Sequence, residues 1–189
     1  MSENKKAYLL PGRKGKLDGF IGTLLLNMGY DVYGREIDGA FETLRISKQV
    51  ETIQNDLKND FWDEKSIVIG TSYGAYLFLH SIIDFEKFPA KVLLFSPVLG
   101  RSRALANRPI ISPPRAKKLL EYRKNNKLPQ IDIEVHTGFD DEICDPKLAQ
   151  KIILGINNSQ LTIVEGGSHQ LDKDYIEDVL NKFLKHKGA

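Results

Sequence analysis

Apolar and polar positions along the 189-residue chain switch between two periods from one end to the other. Short runs dense in apolar residues, at Ala7–Leu10, Tyr30–Gly34, Ile67–Ile69 and Val92–Phe95, predict strands. Ile131–Thr137 sets Ile131, Ile133 and Val135 against Asp132, Glu134 and His136, the period-two pattern of a half-covered strand, and Leu161–Val164 makes a sixth. Helical spacing fills the gaps. It predicts helices from about Leu17 to Met28, over Ile46–Leu57 through Ile46, Val50, Ile53 and Leu57, and over Tyr73–Ile83. A closing helix carries Tyr175, Ile176, Val179, Leu180, Phe183 and Leu184 on one stripe, with Asp172 placed to cap it. Asp145-Pro146 pairs a capping residue with a proline at the first helical position and opens a helix to about Ile153. Ser112-Pro113-Pro114 predicts the same for a helix to about Lys124. Six strands alternating with helices imply an α/β chain: a mainly parallel sheet covered on both faces, a three-layer α/β/α sandwich. No repeat, low-complexity tract or linker breaks the pattern, so residues 1–189 read as one domain.

One junction stands out. The strand Ile67–Ile69 runs into Gly70-Thr71-Ser72-Tyr73-Gly74 and straight out into a helix. Gly-x-Ser-x-Gly between a strand and a helix is the nucleophile-elbow pattern, with a serine on a strained turn and its hydroxyl above the sheet edge. Gly70 leaves room where the strand bends, and Gly74 lets the helix pack closely. An elbow needs an acid after a later strand and a histidine after a still later one. The loop after Ile131–Thr137 holds Asp140, Asp141 and Asp145, of which Asp145 is accounted for as the helix cap. Asp140 and Asp141 both stay open as the acid. Of the four histidines, His80 lies inside a helix, His136 inside a strand, and His186 in the last helical turn. Only His169, in Gly166-Gly167-Ser168-His169, follows both partners in a post-strand loop. At an elbow, the amide of the residue after the serine, Tyr73, faces the developing oxyanion.

Composition narrows the setting. Hydrophobic residues at 41% and charged residues at 28% are globular proportions. No apolar run approaches the roughly 20 residues that span a bilayer, and the apolar stretch near the N-terminus stops at Pro11, against a secretory signal. Cys144 is the sole cysteine, which excludes an internal disulfide and suits a cytoplasmic location. It is read as a small buried apolar residue rather than a nucleophile.

These residues resemble the α/β-hydrolase superfamily. The resemblance covers nearly the whole chain in the order of strands and motifs, and its specific part is confined to Gly70–Gly74, Gly138–Asp145 and Gly166–His169. It implies strand order 2-1-3-4-5-6, without the two antiparallel strands that usually precede them, in a small member with little lid. The family's Gly-x-x-Asp falls on Gly138-Phe139-Asp140-Asp141, which favours Asp141 over Asp140, and its base falls on His169. Where many relatives carry His-Gly after the first strand, this chain has Pro11-Gly12-Arg13, and the resemblance assigns the second oxyanion amide to Arg13. Gly12 and Phe139, with Tyr73, are expected at the substrate. The implied activity is hydrolysis of a small carboxylic ester or thioester through an acyl-enzyme on Ser72, needing no metal or organic cofactor. A silent binding protein on the same fold is the alternative, and the altered first-strand loop is its argument.

A basic insertion at about 99–130 adds one more expectation. Its stretch Arg101–Lys127 carries nine basic residues against one acid, Glu121, and Arg13, Lys14 and Lys16 belong near the same rim. Such a field draws an anionic substrate. The pattern itself, Lys117, Lys118, Arg123 and Lys124 around Leu119, Leu120 and Tyr122, favours a solvated helix face. It has few interleaved aromatics and lacks a recognisable nucleic-acid-binding motif, so nucleic acid is not expected as a partner.

Overall fold

A computed structural model describes residues 5–103 and 112–185. They form β1 (Lys5–Leu10), α1 (Phe20–Asn27), β2 (Tyr30–Gly34), α2 (Gly39–Thr43), α3 (Ile46–Asp60), β3 (Ile67–Thr71) and α4 (Ser72–Ile82). There follow β4 (Lys91–Phe95), α5 (Lys118–Lys124), β5 (Ile133–Gly138), α6 (Pro146–Ile153), β6 (Ser159–Val164) and α7 (Lys173–Lys185). The strands pair in the order β2-β1-β3-β4-β5-β6, every pair parallel. Sheet order and class agree with the sequence expectation.

Alternation along each central strand explains why the sheet takes helices on both faces. Tyr8, Leu10, Val68, Val92 and Leu94 point into one apolar layer, shared with buried residues of α3, α4 and α6. Ala7, Leu9, Ile67, Ile69, Leu93 and Phe95 point into the other, closed by Leu25 of α1 and Val179 and Leu180 of α7. Strands buried on both sides read as unbroken apolar runs, and Ile67, Val68 and Ile69 are all fully buried. Each such side chain contributes roughly 1.5–3 kcal/mol by leaving water.

Three elements differ from the sequence reading. The first helix begins at Phe20 rather than Leu17, because the Leu17 amide donates to Glu36 Oε1 (2.9 Å) and Lys16–Gly19 closes a turn. The Ser112-Pro113-Pro114 sequence does not start a helix. Arg115 takes a left-handed backbone (φ 62°), and α5 begins only at Lys118, without a side-chain cap. Helix α2 was not anticipated; it buries no residue and is capped by the Asp38 side chain, which accepts from the Gly39 amide at 2.7 Å. Asp145 caps α6 as expected, accepting from the Lys147 amide at 3.0 Å. Asp172 accepts from the amides of Asp174 and Tyr175 at the start of α7. His186 and part of the basic insertion, including Arg108, lie outside the described residues. Among the described residues, no helix is long and apolar enough to cross a membrane.

Candidate active site

Ser72 stands where β3 turns into α4 and has φ 49°, a left-handed conformation for a residue with a Cβ. That backbone costs roughly 1–2 kcal/mol, and the surroundings hold it: the Ser72 carbonyl accepts from the Val98 amide at 3.1 Å. The turn lifts the hydroxyl out of the sheet edge. Ser72 Oγ lies 2.9 Å from His169 Nε2, across 97 residues of chain. His169 Nδ1 is 3.0 Å from each carboxylate oxygen of Asp141.

Asp141 is fully buried, which for a lone carboxylate would be costly. Its Oδ1 accepts from the amides of Ile143 (2.8 Å) and Cys144 (2.7 Å), and Thr137 Oγ1 donates to Oδ2 at 3.3 Å. These donors offset the burial and fix the carboxylate plane. Because an ionised carboxylate only accepts, His169 carries its proton on Nδ1, leaving the Nε2 lone pair toward the Ser72 hydroxyl. Asp140, the other acid left open by the sequence, is exposed. Its amide donates to the Gly167 carbonyl at 2.9 Å.

The loops carrying acid and imidazole touch through their backbones. A Cβ on Gly138 would stand 2.2 Å from the carbonyl oxygen of Gly167 and 2.4 Å from that of Ser168. Only glycine lets the end of β5 approach the turn after β6 so closely. That approach brings position 169 over position 141.

Ser72 and His169 open onto a cavity of about 830 Å³, lined by Gly12, Arg13, Phe20, Tyr73, Val98, Ile143 and others. Gly12 lies against the serine; a Cβ on it would be 3.3 Å from Ser72 Cβ. The Tyr73 amide, at the start of α4, and the Arg13 amide have no hydrogen-bond partner among the described residues. The neighbouring Lys14 amide donates to the Ile37 carbonyl at 2.9 Å, so the β1–α1 loop is pinned to the segment between β2 and α2. Phe139 departs from expectation. It is 54% exposed and does not line the cavity, because its position on the turn sends it outward. Ile143, Leu171 and Ile176 supply apolar wall instead. Sequence reasoning missed them because nothing local separates a wall residue from a core residue.

Among the described residues, His136 and His80 stand apart from the site, and the Cys144 sulfur takes no part in it. His136 is buried between Tyr175 Oη (2.7 Å from Nδ1) and Glu134 Oε1 (2.8 Å from Nε2). His80 is buried against the Tyr76 ring, and burial, aided by Lys118 and Arg115, pushes its pKa down to about 3. Burial pushes the Cys144 thiol well up, so it stays protonated and unreactive. Its amide, not its sulfur, serves the site.

Solved structures share this architecture. Alpha/beta hydrolase domain-containing protein 10 from mouse superposes with a TM-score of 0.69 at 12% identity, over 97% of this chain and 92% of that one. A monoacylglycerol lipase from Paleococcus ferrophilus gives 0.67 at 13% identity, over 97% and 95%. An esterase from Rhodococcus sp. ECU1013 gives 0.64 at 13% identity, over 98% and 92%. No protein-family model and no curated protein matches the sequence. Shared topology over nearly the full length of each chain, with no comparable likeness in sequence, means that this chain has the α/β-hydrolase fold.

Proposed function

We propose that the protein is a serine hydrolase that cleaves a small carboxylic ester or thioester through an acyl-enzyme on Ser72. The observation that carries this reading is the continuous series Ser72 Oγ, His169 Nε2, His169 Nδ1 and Asp141, at 2.9 and 3.0 Å. As Oγ attacks the carbonyl carbon, His169 Nε2 takes its proton, and Asp141 steadies the imidazolium that results. The tetrahedral oxyanion forms beside the free amides of Tyr73 and Arg13. Donors aimed at that charge contribute about 3 kcal/mol each to lowering the barrier. Collapse breaks the bond to the leaving group, which receives the proton from His169. Water then repeats the sequence on the acyl-enzyme and frees Ser72.

A strained serine in contact with an oriented imidazole favours an enzyme over a silent binding protein, since strained backbone collects at sites of chemistry. The test is covalent. Ser72 is expected to react with a fluorophosphonate probe and to turn over a series of short-chain esters and thioesters, and Ser72→Ala is expected to lose both. Equal labelling of parent and variant would overturn the assignment.

A further inference from the structure

Among the described residues, the charged side chains lining the cavity besides the imidazole are Arg13, Lys16 and Lys173, with no Asp or Glu. They are not equivalent. Lys16 is engaged by Glu36 at 3.0 Å and Asp38 at 3.2 Å. Lys173 lies 5.4 Å above the Phe20 ring and has Asp172 and Asp174 as chain neighbours. Arg13 differs from both. Its guanidinium sits 4.5 Å over the ring of Tyr73, the residue next to the nucleophile, and its nearest anion is Glu42 at 3.6 Å. That distance is an ion pair without a hydrogen bond, and no side-chain hydrogen bond of Arg13 exists among the described residues.

We propose that Arg13 reads a carboxylate on the substrate, so that the preferred ester or thioester is one carrying a carboxylate a few bonds from the scissile carbonyl. The inference rests on the hydrolase reading above. A guanidinium held over an aromatic face has less freedom to turn its fork of donors, and a carboxylate accepts two of them side by side. The walls around it are largely apolar, through Phe20, Val98, Ile143 and Leu171. A bound acyl chain that displaces water from those walls strengthens the charged contact. Glu42 competes for the same guanidinium. Its carboxylate lowers the attraction for an incoming anion without saturating the fork.

The experiment compares esters that differ only in a terminal group, with acid release followed by pH-stat. Monoethyl glutarate is paired with ethyl pentanoate, placing the carboxylate on the acyl side. O-butanoyl glycolate is paired with ethyl butanoate, placing it on the alcohol side. In at least one pair the anionic ester is expected to exceed its neutral partner in kcat/KM by about tenfold, the scale of one charge-assisted pair. Arg13→Gln is expected to bring that ratio to about one, and Glu42→Gln to raise it by about threefold by removing the competitor. Each ratio is taken within one protein sample, so loss of folded or catalytically competent protein divides out. Should Arg13→Gln abolish all turnover, the Glu42→Gln ratio decides. Neutral esters favoured in both pairs, or a Glu42→Gln ratio equal to the parent's, would overturn the assignment. Turnover that persists in Ser72→Ala would instead overturn the hydrolase reading beneath it.

Discussion

Gly74 packs so tightly on Leu10 that a Cβ on it would stand 2.2 Å from the Leu10 carbonyl oxygen, and 2.3 Å from that of Pro11. The first turn of α4 is thus wedged against the end of β1. This contact ties the serine's helix to the loop that presents the Gly12 and Arg13 backbone.

Gly74→Ala should therefore separate them. The obstruction is backbone on both sides, so relief needs a shift of about 1 Å, a displacement that can lower a reaction rate about 100-fold. Stability should fall by about 1–3 kcal/mol from overpacking. Denaturant unfolding and the rate of fluorophosphonate labelling measure the two effects. Labelling at the parent rate would mean that the loop has no part in the chemistry.

The strain at Ser72 predicts a trade between stability and activity. At φ 49°, Ala keeps the Cβ penalty while Gly removes it. Both variants should be inactive, yet Ser72→Gly should be about 1 kcal/mol more stable than Ser72→Ala. Thermal unfolding of the pair reads this directly. Equal melting temperatures would show that the left-handed backbone is not strained in the folded protein.

The two acids open at the sequence level are distinguished by a single-atom change at each. Asp141→Asn keeps an oxygen for the Ile143 and Cys144 amides, so the loop should stay folded. It loses the carboxylate that fixes the His169 tautomer. Ester turnover should fall on the order of 10³–10⁴-fold. Asp140→Asn, exposed and bonded only through its backbone among the described residues, should stay within about twofold. Steady-state rates on one ester decide between them, and a larger loss at position 140 would refute the geometric assignment.

The doubly covered parallel sheet was legible because its central strands must be apolar at every position, as Ile67–Ile69 and Val92–Phe95 are; the order of the strands came only from the resemblance to the α/β-hydrolase superfamily. Ser72, Asp141 and His169 could be proposed for a different reason: each follows a strand and lies near glycines, of which Gly74 and Gly138 allow close backbone approach and Gly166 takes a left-handed turn. The start of α5 was not legible, since Ser112-Pro113-Pro114 suits a turn as well as a helix start, and the left-handed Arg115 that decides the matter leaves no local signal. Phe139 was misjudged because an apolar loop residue faces a pocket or the solvent with the same sequence. The hold of Glu36 and Glu42 on Lys16 and Arg13 joins segments about 20 and 29 residues apart, and such pairs are not written in any local pattern.

His80 supplies a pH dependence separate from the active site. Its ring is buried on α4 against Tyr76, neither nitrogen has a hydrogen-bond partner among the described residues, and Lys118 and Arg115 face it, with Asp84 opposing them weakly. Its pKa falls from 6.5 in the unfolded chain to about 3 in the fold. Between those values the unfolded chain binds the extra proton, so stability is full above about pH 6.5 and declines as pH falls toward 3. The slope from this one group approaches about 1.4 kcal/mol per pH unit. His80→Leu removes the titration and two unsatisfied buried nitrogens, at similar volume. The variant should gain on the parent by roughly 2 kcal/mol between pH 7 and pH 5 in urea unfolding. A gap that stays constant over that range would mean that the ring takes up its proton without leaving the fold.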